Sequence, residues 1–295
     1  MTDPHLRAVI SERRQLINLA YRLLGSLAEA EDVVQETYAR WYALSDHQRA
    51  EVAKPGAWLT TVASRICLDL LGSARARRER YVGEWIPEPV PDRDWFGGPA
   101  PADPADRVTL DESIGMAFLV VLDSMTPAER VAFVLHDVFR YSFAEVADMV
   151  DRTPAACRQL ASSARARIRT SRPPSGPDRA EVVKNFKKAW ETSDIEALIM
   201  LLDPEAIATA DGGGNALAFR HPITGGDEIA RAWVEIMSRT SNVELLERTV
   251  NGQPGLIAQL HGAIVSVYAF DIADGRITRI WAIRNPEKLR RWTAD

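Results

Sequence analysis

The stretch Ser142–Ile168, SFAEVADMVDRTPAACRQLASSARARI, decides the fold of the middle of the chain. Apolar residues recur at helical spacing on either side of a short polar segment, Asp151–Thr153. Thr153 can act as an N-cap, and Pro154 is favourable at the first position of a helix. The pattern predicts a helix-turn-helix. Its first helix would bury Phe143, Val146 and Ala147, and its second Cys157, Leu160, Ala161 and Ala164.

The second helix of this unit would present a basic polar face. Residues 152–172 contain six arginines and no acid. In a helix-turn-helix the second helix enters the major groove, where such side chains bond base edges or phosphates. The predicted contacts are Arg152, Arg158, Gln159, Ser162, Ser163 and Arg165. An ordinary antiparallel helix pair with a solvated basic face is the alternative.

The charge of the whole chain conceals this local pattern. The net charge of the 295 residues is -5, which alone argues against binding to nucleic acid. Residues 81–151 hold fourteen acids against four basic side chains, and a second basic stretch runs from Arg65 to Arg80. Positive charge is therefore confined to two short segments, as expected where phosphates are approached.

Two proline-rich breaks divide the chain. Tyr81–Arg107 carries six prolines and six acids, and Arg172–Pro177 reads RPPSGP, so neither can sustain a helix or a sheet. The predicted segments are residues 1–80, 81–107, 108–172, 173–177 and 178–295. The first and third have helical periodicity, with helices expected at Leu110–Met125, Pro127–Val138, Ser142–Val150 and Pro154–Ile168 in the third.

The last segment changes period and is predicted to be α+β. Helices are expected at Ala180–Leu202 and Asp227–Ser238, followed by alternating runs at Leu256–Asp271 and Arg276–Arg284. Asp274 and Gly275 suit a hairpin turn between the runs.

Several functional classes find no support. Cys67 and Cys157 are far apart and lack clustered histidines, so no metal site, redox dithiol or other cofactor is predicted. The charged N-terminus and short apolar runs predict a cytoplasmic protein without a membrane partner. Asp211, His221 and His261 form no readable catalytic triad, so no catalytic residue or enzymatic activity is predicted.

Residues 1–172 resemble a group IV, extracytoplasmic-function (ECF) sigma factor of bacterial RNA polymerase. Three strings in the family's order carry the resemblance: AEAEDVVQETYARW at Ala28–Trp41, PGAWLTTVASRICLDLLGSARARR at Pro55–Arg78, and Leu122–Ile168 with its lead-in MTPAER. The resemblance implies two all-α domains, a region 2 helical bundle and a region 4 helix-turn-helix.

The family's partners are core RNA polymerase and promoter DNA. The first string resembles the helix that grips the β′ clamp, which implies contacts by Asp32, Gln35, Glu36, Tyr38 and Arg40. A merely solvated helix face is the alternative. Region 4 would read the minus-35 element and also meet the β flap.

The second string resembles the segment that melts and reads the minus-10 element. The implied contacts are Trp58, Arg65, Arg75, Arg77 and Arg78. Trp58 can either pack in the core or offer a stacking plane to an unpaired base. Arg65 stands where many relatives have Asn, Asp151 where Gly often makes the turn, and Ser163 where Arg is frequent, so the promoter sequence is left open.

The acidic linker 81–107 fits between the two domains. Extended at about 3.1 Å per residue it spans roughly 80 Å. The two promoter elements lie roughly 17 base pairs, or about 55 Å, apart. Its acids would suit the basic template and RNA channel of polymerase, and a plain flexible tether is the alternative.

Residues 178–295 resemble the SnoaL-like branch of the nuclear transport factor 2-like superfamily, a cone of helices against a curved sheet. WIPEP at Trp85–Pro89, DGGGN at Asp211–Asn215 and NPEKL at Asn285–Leu289 resemble signatures of the sigma subgroup that carries this domain. Asn215 departs from its usual Lys, and a simple tight turn at DGGGN is the alternative. The predicted interdomain regulatory residues are Trp85, Pro87, Asp211, Gly212, Gly213, Gly214, Asn285 and Pro286.

These patterns favour an alternative sigma factor whose activity is modulated in cis by its cone-shaped domain, with an unknown small ligand in the cone left open. A conventional helix-turn-helix regulator with a ligand-sensing C-terminal domain is the main alternative. An isomerase or cyclase with a DNA-binding appendage has no specific support.

Overall fold

The computed structural model describes residues 4–78, 81, 83–91, 114–171, 179–214, 216, 218–219, 221–239 and 242–292. The chain forms two compact units. The helical unit comprises residues 1–77, 94–114 and 118–171, and the second unit comprises residues 78–93, 115–117 and 172–295. The first half of the predicted linker therefore packs with the C-terminal domain. The division into five segments stays a prediction.

Four helices form the first part of the helical unit: α1 (Pro4–Leu24), α2 (Leu27–Ala43), α3 (Asp46–Glu51) and α4 (Pro55–Arg78). Gly25 has a φ of 71°, and Ser26 then caps α2 by accepting a hydrogen bond from the amide of Glu29 at 3.4 Å. A Gly-Ser pair thus ends one helix and begins the next. The shared core is apolar and includes Leu16, Leu19, Leu23, Val33, Trp41, Leu59 and Ala63.

The second part contains α5 (Met116–Asp123), α6 (Pro127–Phe133), a π-helical turn (Val134–Val138), α7 (Phe143–Val150) and α8 (Pro154–Ser171). Capping boxes begin α6 at Thr126 and α7 at Ser142. Asp151 adopts a left-handed conformation with a φ of 54°, and Thr153 accepts a hydrogen bond from the amide of Ala156 at 3.2 Å. The predicted helix-turn-helix is present.

The buried stripe of α8 is narrower than predicted. Cys157, Ala161 and Ala164 are fully buried, whereas Leu160 is only half-buried. In α7 Val146 and Ala147 are buried, and the half-buried Phe143 stacks on His136 with 3.7 Å between ring centroids. Small residues at the contact let the two helices of the motif approach closely.

The second unit contains α9 (Arg179–Glu191), α10 (Ile195–Leu201), α11 (Gly226–Arg239) and six strands in one sheet. The strands are β1 (Leu202–Asp211), β2 (Ile223–Thr224), β3 (Val243–Val250), β4 (Gln253–Leu260), β5 (Ala263–Ala273) and β6 (Arg276–Ile283). Their order is β2-β1-β6-β5-β4-β3, with a parallel β1–β6 pair among antiparallel neighbours. A 3₁₀ turn at Arg290–Trp292 follows. This is the predicted α+β architecture.

The helices predicted within Ala180–Leu202 form a pair, because Ser193 is left-handed (φ 54°) and Asp194 caps α10 through a 3.0 Å bond from the amide of Ala197. One sequence-based assignment in this unit was wrong. The single run predicted at Leu256–Asp271 is two strands joined by a turn at His261 and Gly262, which have φ values of 51° and 83°. Strands β1, β2 and β3 were not predicted as strands.

Aromatic side chains fill the space between the helices and the sheet. Trp190 donates from Nε1 to the carbonyl of Trp233 at 2.9 Å, and its ring centroid lies 5.2 Å from that of Tyr268. Phe186 meets the ring of Phe270 edge-on at 5.5 Å. These contacts fix the helices on one face of the sheet.

Some features are absent from the described residues. No helix among them has the length and hydropathy needed to cross a bilayer. No group of three or more potential metal ligands occurs within the same ranges. Cys67 and Cys157 are buried free thiols.

We expect Trp190→Ala to lower the free energy of unfolding of the second unit by about 3–5 kcal/mol, because the indole is 2% exposed and bridges helix and sheet. Urea denaturation followed by circular dichroism measures the change. Met200→Ala is the control, since that side chain is 71% exposed and its loss should cost under about 0.5 kcal/mol. Equal effects of the two substitutions would contradict this account of the core.

Candidate nucleic-acid interface and linker-binding site

The polar face of α8 is divided between exposed and internally bonded side chains. Arg158, Gln159 and Ser162 on this helix are exposed, as is Arg152 in the turn before it. The guanidinium of Arg158 lies 5.5 Å from the ring centroid of Phe143, which holds its stem against α7. These four residues are available to a ligand without disturbing the core.

Two other predicted contacts of α8 are bonded to acids. Ser163 donates its hydroxyl to Oε1 of Glu129 at 2.6 Å, and Arg165 donates from Nε to Oδ1 of Asp137 at 2.6 Å. The bond from Ser163 is the largest cause of a lowered pKa at Glu129. Both side chains therefore help to attach α8 to the preceding helices.

The outer face of α2 is as polar as its sequence predicts. Asp32, Gln35, Glu36 and Arg40 are exposed and Tyr38 is half-buried. Glu36 and Arg40 form an ion pair of 2.8 Å along the helix. The opposite face, with Val33, Val34, Thr37 and Trp41, is buried. The helix thus presents a mixed acidic and aromatic surface, to which the exposed Tyr42 (52%) also belongs.

Trp58 and Arg65 lie on α4. Trp58 is half-buried, and its ring meets that of the buried Trp41 edge-on at 5.1 Å. The contact with Trp41 covers part of the indole of Trp58, and the remainder is accessible to solvent. Arg65 is exposed and hydrogen-bonds to backbone carbonyls of α7. The side chains of Arg75, Arg77 and Arg78 lie outside those that the structure describes.

The second unit binds the beginning of the linker, here called the strap (residues 81–91). Asp211, at the end of β1, is 1% exposed. Its carboxylate accepts hydrogen bonds from the Tyr81 hydroxyl at 2.6 Å and from the amide of Ile86 at 3.2 Å. Burial and then the bond to Asp211 raise the pKa of the Tyr81 phenol. The strap is thereby held by hydrogen bonds to a buried carboxylate.

Lys288 completes this centre. Its Nζ lies 2.6 Å from Oδ2 of Asp211, donates to the carbonyl of Ile86, and lies 4.4 Å from the ring centroid of Trp85. The ring of Tyr81 is 5.4 Å away. A buried cation is favourable only when its partners are this complete. The strap supplies the carbonyl and both rings.

The other end of the strap is held through its backbone. The amide of Val90 donates to Oδ1 of Asn251 at 3.1 Å, and the amide of Asn251 donates back to the Val90 carbonyl at 2.9 Å. Trp292 donates from Nε1 to the carbonyl of Pro89 at 3.0 Å, and Arg291 lies 3.9 Å from Glu88. Residues 86–90, including Pro87, are all buried. The strap is therefore bound along its length.

The glycines of DGGGN permit close packing at the same centre. A Cβ on Gly213, whose φ is 62°, would come within 2.5 Å of the Asn285 side chain. A Cβ on Gly212 would come within 2.3 Å of the carbonyl of Ala216. Gly214 is also left-handed, with a φ of 76°. Asn285 donates to the Tyr81 hydroxyl at 2.8 Å, and Pro286 begins the turn that leads to Lys288.

The structure thus brings together Trp85, Pro87, Asp211, the three glycines, Asn285 and Pro286. Sequence reasoning missed Tyr81, Asn251, Lys288 and Trp292. Lys288 stands within the string NPEKL, so its position near Asn285 was available as a signal. Asn251 and Trp292 belong to no string that the sequence distinguished.

The three residues considered for catalysis are not arranged as a catalytic set. Asp211 is buried and bonded to the strap, whereas His221 and His261 are exposed. Among the described residues no hydrogen bond joins them.

Family comparisons agree with the helical unit. Residues 9–77 match the family Sigma-70 region 2, and residues 115–168 match Sigma-70 region 4.

Full-length relatives extend the agreement to the second unit. The ECF RNA polymerase sigma factor SigJ of Mycobacterium tuberculosis (strain ATCC 25618 / H37Rv) is 39% identical over 294 residues, covering 94% of this chain and 90% of the relative. The probable ECF sigma factor SigI of M. tuberculosis (strain CDC 1551 / Oshkosh) is 33% identical, covering 97% and 95%. The crystal structure of SigJ matches with a TM-score of 0.73 at 35% identity over 94% of this chain and 95% of that one.

These comparisons confirm the predicted resemblance and the predicted fold of two helical sigma domains followed by an α+β domain. The chain belongs to the ECF sigma factors of RNA polymerase, and it is an alternative sigma factor that binds core polymerase and promoter DNA to direct transcription initiation.

Proposed function

We propose that the chain reads its promoters with the exposed polar face of α8 and the Trp58 side of α4, and that binding of the strap by the C-terminal cone sets its activity in cis. The single observation that carries the regulatory part is the buried Asp211–Lys288 pair, whose partners include the strap's own backbone and rings.

Arg152, Arg158, Gln159 and Ser162 are proposed as the minus-35 contacts. All four are exposed, Arg152 in the turn and the other three on the helix that a helix-turn-helix inserts into the major groove. Ser163 and Arg165 are proposed to act mainly by fixing α8, because Glu129 and Asp137 already accept their hydrogen bonds. Arg165 has further N–H donors at its Nη atoms that could bond to a phosphate, whereas the single hydroxyl proton of Ser163 is donated to Glu129.

Trp58 and Arg65 are proposed as minus-10 contacts, together with Arg75, Arg77 and Arg78. The support is a half-buried indole at the start of α4 and the basic residues that the sequence places further along the same helix, side chains that suit an unpaired base and its phosphates. Opening a base-pair step costs about 1.4 kcal/mol of stacking, which trapping of unpaired bases must offset.

Asp32, Gln35, Glu36, Tyr38 and Arg40 are proposed to bind the β′ clamp, and region 4 to meet the β flap. The exposed, mixed-charge face of α2 is suited to docking on a basic partner helix. The cytoplasm is the proposed location, because polymerase and its promoters are there.

The cone is proposed to act as a regulator and not as a catalyst. The aromatic rings of Trp190, Trp233 and Tyr268 pack against one another in its interior, and Asp211 is committed to the strap. A ligand within the cone stays a prediction. A strap bound along its backbone cannot simultaneously be extended through polymerase, so its binding by the cone and its engagement by polymerase compete.

We expect Lys288→Met to release the strap and raise run-off transcription several-fold at limiting sigma concentration. Removing one partner of a buried ion pair costs about 3–5 kcal/mol. Limited proteolysis within residues 81–91 should accelerate in parallel. Lys184→Met is the control, because that side chain is 62% exposed and pairs with Glu181 on the surface. Unchanged transcription and proteolysis in Lys288→Met would refute the proposal.

We expect Gly213→Ala to loosen the strap more than Gly275→Ala does. Both glycines are left-handed, with φ values of 62° and 76°, so the backbone strain is similar. Among the residues that the structure describes, a Cβ at 213 would meet the Asn285 side chain, whereas a Cβ at 275 would have no neighbour within 4 Å. Hydrogen exchange of the Ile86 and Val90 amides measures the difference. Equal exchange in the two variants would show that the Gly213–Asn285 approach does not hold the strap.

We expect Arg158→Ala to reduce initiation by about tenfold to a hundredfold on promoters selected by the wild-type holoenzyme. The loss should disappear when the minus-35 half of the promoter is replaced by unrelated sequence. Arg239→Ala removes the same charge from a side chain that is 75% exposed on the cone and should initiate normally. A uniform loss on both templates would instead assign Arg158 to phosphate contact or to folding.

A further inference from the structure

The helix that begins with α6 ends in a π-helical turn (Val134–Val138). The amide of Phe139 closes this turn by donating to the carbonyl of Val134, five residues earlier, at 3.0 Å. Turns of this kind are rare and often occur at functional sites. Two polar side chains of the turn contact the helix-turn-helix that follows it: His136 contacts α7, and Asp137 contacts α8.

The ring of His136 is held by a hydrogen bond and a stack. Its Nδ1 lies 2.8 Å from the backbone carbonyl oxygen of Tyr141, and because a carbonyl only accepts, Nδ1 is the donor. The ring stacks on that of Phe143, the first residue of α7, with centroids 3.7 Å apart and planes inclined by 22°. Both side chains are half-buried. The histidine therefore restricts the orientation of the Phe143 ring.

Phe143 in turn restricts an arginine of α8. The guanidinium of Arg158 lies over its ring, 5.5 Å from the centroid, and a cation within about 6 Å of an aromatic centroid is attracted to the ring. Arg158 is exposed and is one of the proposed minus-35 contacts. A long side chain loses rotamer freedom when it binds DNA, and a ring that already limits its rotamers reduces that loss. The stacked rings thus prepare Arg158 for binding.

Asp137 restricts a second arginine of α8. Its Oδ1 accepts a hydrogen bond from Nε of Arg165 at 2.6 Å, and the two side chains are 21% and 38% exposed. The other carboxylate oxygen, Oδ2, is buried and has no hydrogen-bond partner among the described residues. A buried oxygen without a partner is unfavourable, so this contact is not optimised for stability alone. Binding through Nε orients Arg165 and leaves its Nη donors to DNA.

The two arginines share one face of α8. Arg158 and Arg165 are seven residues apart, which is close to two helical turns and about 10 Å along the axis. Both are restricted by neighbouring residues of a single turn, by His136 through Phe143 and by Asp137 directly. The π-helical turn therefore sets the side chains of α8 at two points of the face that a helix-turn-helix presents to DNA.

We propose that the π-helical turn determines promoter specificity: His136 and Asp137 fix Arg158 and Arg165 in the orientations that distinguish the minus-35 element from other DNA. Arginines without these restraints would bond to the phosphates of any sequence, which adds binding but no discrimination. His136, Asp137 and Phe143 act through the two arginines and are positioning residues. The inference rests on the proposed role of α8 in reading the minus-35 element.

The aromatic restraint is tested with Phe143→Leu, which removes the ring and keeps an apolar side chain, and with Phe143→Tyr, which keeps the ring. Each is made in the full-length chain with and without Arg158→Ala and is assayed as holoenzyme on a promoter selected by the wild type. Phe143→Leu should lower initiation about two- to fivefold when Arg158 is present. It should change nothing in the Arg158→Ala background, and Phe143→Tyr should match its own background in both cases.

The ionic restraint is tested with Asp137→Asn, which keeps an acceptor oxygen and removes the charge. The measurement is discrimination, the ratio of initiation on the selected promoter to that on the same promoter with its minus-35 half replaced. Asp137→Asn should lower this ratio about two- to fivefold. Asp148→Asn is the matched control, because it removes the same charge from an exposed residue of α7, and it should leave the ratio unchanged.

The inference is overturned if Phe143→Leu causes the same loss with and without Arg158, because damage to the fold would displace Gln159 and Ser162 in either background. It is also overturned if Phe143→Tyr initiates as poorly as Phe143→Leu, or if Asp137→Asn and Asp148→Asn discriminate equally. Failure of the proposed minus-35 contacts would look different, because Arg158→Ala alone would then initiate normally from the selected promoter.

Discussion

The organisation of the second unit depends on one charge pair removed from water. Asp211 and Lys288 are 1% and 9% exposed, and an isolated buried charge at either position would be strongly unfavourable. The cone supplies the two charges, and the strap supplies an amide, a carbonyl, a hydroxyl and an aromatic face. The two buried charges have all these partners only when the strap is bound. The electrostatic stability of the cone therefore depends on the position of the linker.

Sheet topology brings the parts of this centre together. Parallel pairing of β1 with β6 places Asp211 opposite Ile283, and the amide of Arg284 donates to the Asp211 carbonyl at 2.7 Å. The chain that follows β6 therefore leaves the sheet beside the carboxylate, and one turn later Lys288 reaches it. Strings that are more than seventy residues apart in sequence become neighbours because their strands are adjacent.

Local rules explain which parts of the fold were readable from the sequence. The helix-turn-helix was predicted with its turn because Thr153, Pro154 and the apolar spacing all act within a few residues. The turn at His261 was missed because a non-glycine residue adopts left-handed backbone there, a conformation that amino-acid composition does not predict. Strand β1 was missed because its burial comes from neighbours distant in sequence.

The same limit applies to the site. The strings DGGGN and NPEKL were identified from the sequence, but the role of Lys288 depends on the register in which β1 pairs with β6. The roles of Asn251 and Trp292 depend on the position of the strap, which no sequence periodicity predicts.

Attachment of the strap to the same chain as its binding site has a further consequence. A tethered segment meets its site at an effective concentration on the order of millimolar, whatever the abundance of the protein. A separate inhibitor would have to be produced in proportion to its target, and its occupancy would vary with expression. In the proposed regulation the ratio of cone to sigma domains is fixed at one by covalent connection, so a cell that makes the sigma domains makes their proposed regulator in the same amount.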